Sequence, residues 1–256
     1  MTPVDVHAVA EGRPEGPVLL LSPSLGTGHT MWDPQVGGLI EHFRLIRYDP
    51  RGHGRSPVPP EPYEIADLAE DVVRLLDRQG VEKAHFCGLS LGAMTGIALA
   101  ADHADRVDRL VLCSTTAQFP SPQPWTERAE TVRAKGTAAI ADAVVERWLT
   151  PGFAAAHPET LARLKAMIEQ TPDEGYAACC GAIARMDLRG ALPRITAPTL
   201  VISAEQDPAT PPEVLQRIAA AIPDARLEVL SPAAHLANIE QPEAFTRLVV
   251  ALLNAQ

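Results

Sequence analysis

Short apolar runs alternate along this chain with longer stretches in which apolar residues recur every three or four positions. The short runs are rich in Val, Ile and Leu and predict buried β-strands at residues 18–22, 44–49, 84–89, 109–114, 199–203 and 227–230. The clearest helical spacing covers residues 65–76 and stops before Gly80; similar patterns follow at 91–101 and 245–252. Strands that alternate with helices predict an α/β fold whose mostly parallel central sheet carries helices on both faces.

The alternation stops between residues 119 and 192. This segment opens with Pro120, Pro122 and Pro124, and then shows several helical patterns without an apolar run typical of a strand. The alternation resumes at Thr199. We therefore predict an α/β core formed by residues 1–118 and 193–256, with residues 119–192 inserted as a helical cap.

Charge and cysteine content narrow the classes of partner. The chain has 22 basic and 32 acidic residues, a net charge of −10, which disfavours nucleic acids and anionic membranes. No apolar run approaches the roughly 20 residues that span a bilayer, and the N-terminus lacks the pattern of a secretory signal. The four cysteines form no Cys-x-x-Cys pair and no cluster with zinc spacing. We expect a cytoplasmic monomer or small homo-oligomer that binds a small molecule and uses neither cofactor nor metal.

The strongest chemical signal is a Gly-x-Ser-x-Gly motif formed by Gly88, Ser90 and Gly92. It follows the predicted strand 84–89 and precedes a helix, which is the context of a nucleophile elbow. Small residues on both sides let the backbone turn tightly, so that the serine hydroxyl stands clear of the sheet. Ser90 is therefore the predicted nucleophile.

A serine needs a base, and the base needs an acid that orients it. In strand–turn–helix elbows of this kind the chain order is Ser, then Asp or Glu, then His. Asp207 follows the predicted strand 199–203, and His235 follows the strand 227–230. Both lie just past the carboxyl ends of strands, where α/β sheets bind ligands. We predict a Ser90–His235–Asp207 triad, with Glu205 as the alternative acid.

Two backbone N–H groups are needed to hold the oxyanion that forms during acyl transfer. One is expected from Leu91, directly after the nucleophile, and the other from Leu25 in the loop after the first predicted strand. The charged, glycine-rich segment 47–56 is interpreted as a structural turn. Its His53 precedes the serine and is out of order for the catalytic base.

Several motifs, distributed over nearly the whole chain, resemble the α/β-hydrolase superfamily and, within it, the 3-oxoadipate enol-lactonases. They are Ser24-Leu25-Gly26-Thr27, Met31-Trp32-Asp33-Pro34-Gln35, the turn 47–56, Arg147-Trp148-Leu149-Thr150-Pro151, Tyr176-Ala177-Ala178-Cys179-Cys180 and His235-Leu236-Ala237-Asn238. The motifs inside the insertion are the more diagnostic ones, because the elbow and the turn occur across the superfamily. The resemblance implies a serine hydrolase that opens the lactone ring of 3-oxoadipate enol-lactone during protocatechuate and catechol degradation.

That substrate carries a free carboxylate, whereas the predicted core is acidic. A cation from the nearly neutral insertion is thus the expected anchor. Arg133, Arg185 and Arg147 are the candidates, with Trp148 as a wall of the pocket. The alternatives keep the triad and change the substrate to another ester or lactone, such as an acyl-homoserine lactone, or to perhydrolysis without a cofactor. A further alternative is a non-catalytic binding protein with the same fold.

Overall fold

A seven-stranded sheet runs through the part of the chain that the structure, a computed structural model, describes: residues 2–60 and 62–254. Its strands are β1 (Ala8–Gly12), β2 (Val18–Ser22), β3 (Arg44–Tyr48), β4 (Ala84–Leu89), β5 (Val107–Cys113), β6 (Thr199–Ala204) and β7 (Arg226–Leu230). They lie in the order β1-β3-β2-β4-β5-β6-β7, and every pair is parallel except β1 with β3. The predicted fold class is confirmed.

The sequence patterns located β2 to β7 but missed β1. β1 pairs antiparallel with β3 at the edge of the sheet, with Ala8 opposite Tyr48. Its residues Ala-Val-Ala-Glu-Gly are partly exposed and carry no long apolar run. An edge strand paired on one side needs no continuous apolar run, which is why its pattern is weak.

Helices cover both faces of the sheet. Outside the segment between β5 and β6 they are α1 (Asp33–Leu39), α2 (Ile65–Arg78), α3 (Leu91–Asp102), α9 (Pro212–Ala221), α10 (Ala237–Glu240) and α11 (Pro242–Leu253). The apolar positions predicted for α2 are all buried, and Glu64 with Asp67 forms a capping box at its start. α3 is buried along most of its length beneath the sheet's centre.

The segment between β5 and β6 is helical. Its helices are α4 (Gln123–Lys135), α5 (Ala138–Val145), α6 (Pro151–Ala156), α7 (Pro158–Glu169) and α8 (Asp173–Arg185). α4 and α8 pack against each other. All residues of this segment are described, and none of them forms a strand.

The parallel strands bring four loops to one edge of the sheet. Leu25 follows β2, Ser90 follows β4, Asp207 follows β6 and His235 follows β7. Residues far apart in the chain therefore meet at the carboxyl ends of the strands, where open α/β sheets place their ligands. Among the described helices, none has the length and apolar character to cross a membrane.

Candidate active site

Ser90 occupies a strained turn between β4 and α3. Its φ of 56° and ψ of −113° lie in a region that L-residues rarely adopt. The turn is fixed by backbone bonds: the Ser90 N–H donates to the Cys113 carbonyl at 2.9 Å, and the Ser90 carbonyl accepts from Met94 at 2.9 Å. The Thr115 hydroxyl donates to that same carbonyl at 3.0 Å. Surrounding structure thus holds the serine in place at the N-terminus of a buried helix.

The two glycines of the motif are required by close backbone packing. A Cβ at Gly88 would collide with the carbonyl of Gly92, and a Cβ at Gly92 would collide with the carbonyl of Ser22 on β2. Any side chain at either position would push α3 away from the strands. The spacing of Gly-x-Ser-x-Gly therefore follows from the approach of helix to sheet.

His235 and Asp207 form a buried pair. The His235 Nδ1–H donates to Asp207 Oδ2 at 2.8 Å, which leaves Nε2 of the neutral ring as an acceptor. Asp207 also accepts from the Thr210 hydroxyl at 2.6 Å and from the backbone of Ala209 at 2.8 Å. Burial alone would raise the pKa of Asp207, but His235 and the bonds from Thr210 outweigh it, so the pKa is lowered. The carboxylate is thus ionised and able to stabilise an imidazolium.

Ser90 and His235 line the same cavity. No hydrogen bond joins their side chains among the described residues, and such bonds often tighten only when substrate is bound. Glu205, the alternative acid, is exposed and accepts from the Ser231 hydroxyl. The partner of His235 in this structure is Asp207.

The loop after β2 carries Leu25 to the cavity beside Ser90. Among the described residues, the N–H groups of Leu25 and Leu91 donate to no other group. The neighbouring Gly26 N–H donates to His53 Nε2 at 3.0 Å, and His53 Nδ1 donates to the Arg51 carbonyl at 3.1 Å. Because burial lowers the pKa of His53, although Arg51 and Asp49 oppose the shift, its ring stays neutral and its Nε2 can accept. His53 thus fixes the loop rather than facing the cavity.

The cavity has a volume of about 470 Å³, within the usual range for small-molecule sites. Its lining is Ser24, Leu25, Ser90, Phe119, Pro120, Ser121, Pro124, Trp125, Arg128, Val144, Arg147, Trp148, Tyr176, Pro208, Ala209, Thr210 and His235. The walls are mainly apolar, and most of them come from the helical segment 119–192. Trp148, predicted as a wall of the pocket, is one of the residues that line this cavity.

Two cations of the helical segment reach this cavity, Arg128 on α4 and Arg147 after α5. Arg128 stacks over the Trp125 ring with its guanidinium carbon 4.5 Å from the centroid. Neither arginine forms an ion pair with a carboxylate of the described residues. Desolvation, and then the charge of Arg128, lowers the pKa of Arg147. An arginine guanidinium is charged at neutral pH, so these two side chains place positive charge on the cavity wall that the helical segment forms. Glu146 is a carboxylate whose charge acts on Arg147.

Arg133 and Arg185 were predicted at this pocket, and that placement is wrong. Arg133 pairs with Glu174 at 3.2 Å, and Arg185 pairs with Glu64 at 2.9 Å. Both line a separate depression between α4 and α8 that does not include Ser90. Positions 128 and 133 point in different directions because five residues advance a helix by about 140° beyond a full turn.

A buried carboxylate joins the helical segment to the loop of His235. Glu240 Oε1 accepts from the Thr150 N–H at 2.9 Å and from its hydroxyl at 2.6 Å, while Oε2 accepts from the Ala234 N–H at 2.5 Å. The Leu236 N–H donates to the Trp148 carbonyl at 2.9 Å. These bonds flank His235 on both sides.

Sequence reasoning missed Arg128, Tyr176 and Glu240 as contributors to the site. Tyr176 is fully buried, lines the cavity and would meet a Cβ at Gly26 at 2.9 Å. Arg128 and Tyr176 lie on helices whose inward faces are decided by packing. Glu240 lies five residues after His235 in the sequence, but that spacing alone does not predict its hydrogen bonds to Thr150 and Ala234.

Comparison with known proteins gives the family of this chain. A family model described as the alpha/beta hydrolase fold matches residues 17–242. The chain belongs to the α/β-hydrolase family. It is 40% identical to 3-oxoadipate enol-lactonase 2 of Acinetobacter baylyi over 94% of this chain and 90% of that protein. The crystal structure of the enol-lactonase from Burkholderia xenovorans LB400 superposes with a TM-score of 0.95 at 45% identity, covering 98% of this chain and 96% of that one.

A related esterase is also similar in structure. The thermophilic esterase from Thermogutta terrifontis, solved with malate bound, has a TM-score of 0.92 at 31% identity and covers 98% of this chain and 93% of its own. The resemblance to enol-lactonases seen in the sequence is confirmed by these α/β-hydrolase relatives.

Proposed function

We propose that this α/β-hydrolase opens the ring of 3-oxoadipate enol-lactone to give 3-oxoadipate. The observation that carries the proposal is that two arginines, Arg128 and Arg147, line the cavity that contains Ser90. Neither of them forms an ion pair with a carboxylate of the described residues. A lactone with a free carboxylate matches this arrangement, because the serine can attack its ring carbonyl while the arginines bind its carboxylate. The similarity to two enol-lactonases supports the same substrate.

The acylation step uses Ser90 and His235. His235 Nε2 takes the proton of the Ser90 hydroxyl as the oxygen attacks the lactone carbonyl carbon. The ring C–O bond then breaks, and His235 returns the proton to the departing enolate oxygen. An enolate is a better leaving group than an alkoxide because its negative charge is delocalised, and the released enol then ketonises. Asp207 stabilises the imidazolium through its 2.8 Å bond to Nδ1.

The oxyanion of each tetrahedral intermediate is held by the backbone N–H groups of Leu25 and Leu91. Donors aimed at developing charge are worth about 10²–10³ in turnover each. The N-terminus of α3 adds a favourable dipole at the same point. In the second step a water molecule gives a proton to His235 as its oxygen attacks the acyl carbon. The bond between that carbon and the Ser90 oxygen then breaks, and His235 returns the proton to Ser90 as 3-oxoadipate is released.

The helical segment 119–192 acts as the cap that selects the substrate. Arg128 and Arg147 bind the free carboxylate by charge-assisted hydrogen bonds. Trp148 and Tyr176 pack against the ring, while the bonds of Glu240 hold the cap to the loop of His235. A cytoplasmic location and a monomer or small homo-oligomer remain expectations from sequence.

The test is turnover of 3-oxoadipate enol-lactone, followed by the loss of its ultraviolet absorbance. We expect a kcat/KM of about 10⁴ M⁻¹s⁻¹ or more for the wild type. The Ser90→Ala variant should lose about 10⁴-fold or more of kcat while melting at a similar temperature. Labelling of the wild type, and not of Ser90→Ala, by a fluorophosphonate would establish the nucleophile. Labelling without turnover of the lactone would keep the triad and reject the substrate.

A second candidate is a small-ester hydrolase, favoured by the mainly apolar cavity and by the similarity to the Thermogutta esterase. The two candidates differ in their use of the arginines. An enol-lactonase should lose affinity for its anionic substrate when Arg128 is removed, whereas hydrolysis of a neutral ester such as p-nitrophenyl acetate should not change. A wild type that prefers neutral esters would favour the esterase.

A further inference from the structure

Three side chains with metal-binding atoms converge outside the cavity of Ser90. His7 directly precedes β1, His29 lies after β2, and Asp49 directly follows β3. Their ligand atoms all lie within 4.8 Å of one another, and among the described residues this is the only group of its kind. None of the three lines the cavity of the proposed active site.

The geometry of the cluster is set by Asp49. Its side chain is buried, and its Oδ1 accepts from the His29 backbone N–H at 2.8 Å while Oδ2 accepts from the Arg55 N–H at 3.1 Å. A Cβ at Gly28 would come within 2.5 Å of the same Oδ1, so the loop after β2 is closed tightly around the carboxylate. The acceptor is therefore held in one position before any ligand binds.

The two histidines complete the set. His29 Nδ1 is hydrogen-bonded to Asp49 Oδ1 at 2.8 Å. Two tetrahedral ligands that are each about 2.0–2.2 Å from an ion lie roughly 3.4 Å apart, so an ion would replace this hydrogen bond and separate the two atoms by about half an ångström. The His7 and His29 rings meet edge to face with centroids 5.5 Å apart. His7 Nε2 is buried, and no described residue forms a hydrogen bond with it. A buried ring nitrogen without a partner is unfavourable unless another group meets it.

We propose that His7, His29 and Asp49 bind a divalent transition-metal ion of the zinc type. Two imidazole nitrogens and one carboxylate oxygen are a ligand set that suits zinc and leaves a position open. The ion would join the start of β1, the loop after β2 and the turn after β3. Spacing rules cannot find such a site because its ligands come from three separate segments, and the sequence accordingly predicted no metal.

Binding should stabilise the folded protein independently of hydrolysis. An ion that binds only the native state raises the free energy of unfolding by mass action. At about a hundredfold excess over Kd, the melting temperature should rise by about 5–10 °C for a chain of this size. His7 is the best position for a test because the described contacts of its side chain are limited to ring packing, so its loss removes a ligand and little else.

The experiment is a titration of tag-free, chelator-treated protein with Zn²⁺ by calorimetry and with Co²⁺ by visible absorption. We expect saturation at one equivalent, and a loss of affinity of at least tenfold in His7→Gln and in His29→Gln. His157→Gln is the matched control, since His157 is an exposed histidine beside Glu159. His235→Gln controls for binding at the His235–Asp207 pair. Both controls should bind like the wild type.

Three outcomes would overturn the proposal. They are the absence of saturable binding in the wild type, equal affinity in His7→Gln and wild type, and loss of binding in His235→Gln. The last result would place the ion in the active site. His29→Gln keeps the backbone bond to Asp49 and serves as the second ligand variant if His7→Gln melts well below the wild type without metal.

Discussion

The loops at the sheet edge and the helical segment 119–192 meet at one cavity, but they hold their functional side chains in different ways. At the sheet edge, Asp207 accepts from His235, Thr210 and Ala209, and Ser90 is fixed through its backbone on both sides. In the helical segment, Arg128 is positioned by stacking on Trp125. In the first region, hydrogen bonds within the protein hold Asp207, His235 and the Ser90 backbone in place. The second region leaves its cations available to a ligand.

This difference separates chemistry from recognition. Reacting groups must keep their geometry within fractions of an ångström, which demands rigid hydrogen-bonded support. A cationic wall needs only to remain charged and near the cavity. Changes at the sheet edge should therefore act mainly on kcat, whereas changes in the helical segment should act mainly on KM.

Among the groups that support the nucleophile, the largest effect is expected from Asp207→Asn. The amide cannot hold the His235 ring with Nδ1–H donating and Nε2 free, and it cannot stabilise the imidazolium, so kcat should fall by about 10⁴. Steady-state kinetics on the enol-lactone measure this loss. Glu205→Gln is the matched control and should stay within about twofold of the wild type, because Glu205 is exposed and bonds to Ser231. A large loss in the control instead would make Glu205 the functional acid.

The next effect concerns His53, whose ring holds the loop of Leu25. His53→Leu removes the acceptor of the Gly26 N–H and should lower kcat about a hundredfold with little change in KM, since one oxyanion donor is displaced. His53→Gln places an amide oxygen near the same position and should restore most of the rate. Equal losses of kcat in the two variants would show that His53 acts through packing alone.

The sheet-edge region was largely predictable from sequence. Ser90 and Asp207 follow buried strands, and His235 follows β7, a largely exposed strand at the other edge of the sheet. Parallel strands bring their carboxyl ends together whatever the intervening segments do. Gly88 and Gly92 are required because backbone atoms pack directly against them, and this requirement is visible in the sequence as the Gly-x-Ser-x-Gly motif. The positions that the fold brings together are thus the same positions that carry chemically recognisable residues.

The helical segment was predictable only as helices. Its arginines occur on several faces, and the face that meets the cavity depends on how α4 packs against α8. Arg133 and Arg185 have carboxylate partners, whereas no described carboxylate pairs with Arg128. No local sequence pattern distinguishes an arginine that forms an ion pair within the protein from one that is available to bind a ligand.

Removal of the cavity arginines tests that distinction. Arg128→Ala and Arg147→Ala should each raise KM for the enol-lactone about tenfold, because each loses a charge-assisted contact, with a smaller change in kcat. Kinetics on the lactone and on p-nitrophenyl acetate give the comparison, since the neutral ester should be unaffected. Arg133→Ala and Arg185→Ala are the matched controls. If KM rises only in these controls, the substrate carboxylate binds in the separate depression between α4 and α8, and the assignment to Arg128 and Arg147 is wrong.

The smallest effect on rate is expected where the two regions are joined. Glu240→Gln sets an amide NH₂ against either the Thr150 N–H or the Ala234 N–H, so one of the donors loses its acceptor. An unsatisfied buried donor costs about 1–3 kcal/mol, which lowers the melting temperature by about 2–12 °C. Below that temperature kcat should fall no more than about threefold, because the bonds of Asp207 still orient His235. Glu243→Gln, at an exposed position on α11, should change neither quantity. A loss of kcat as large as that of Asp207→Asn would mean that the junction itself positions the reacting groups, and the division between chemistry and recognition would then fail at Glu240.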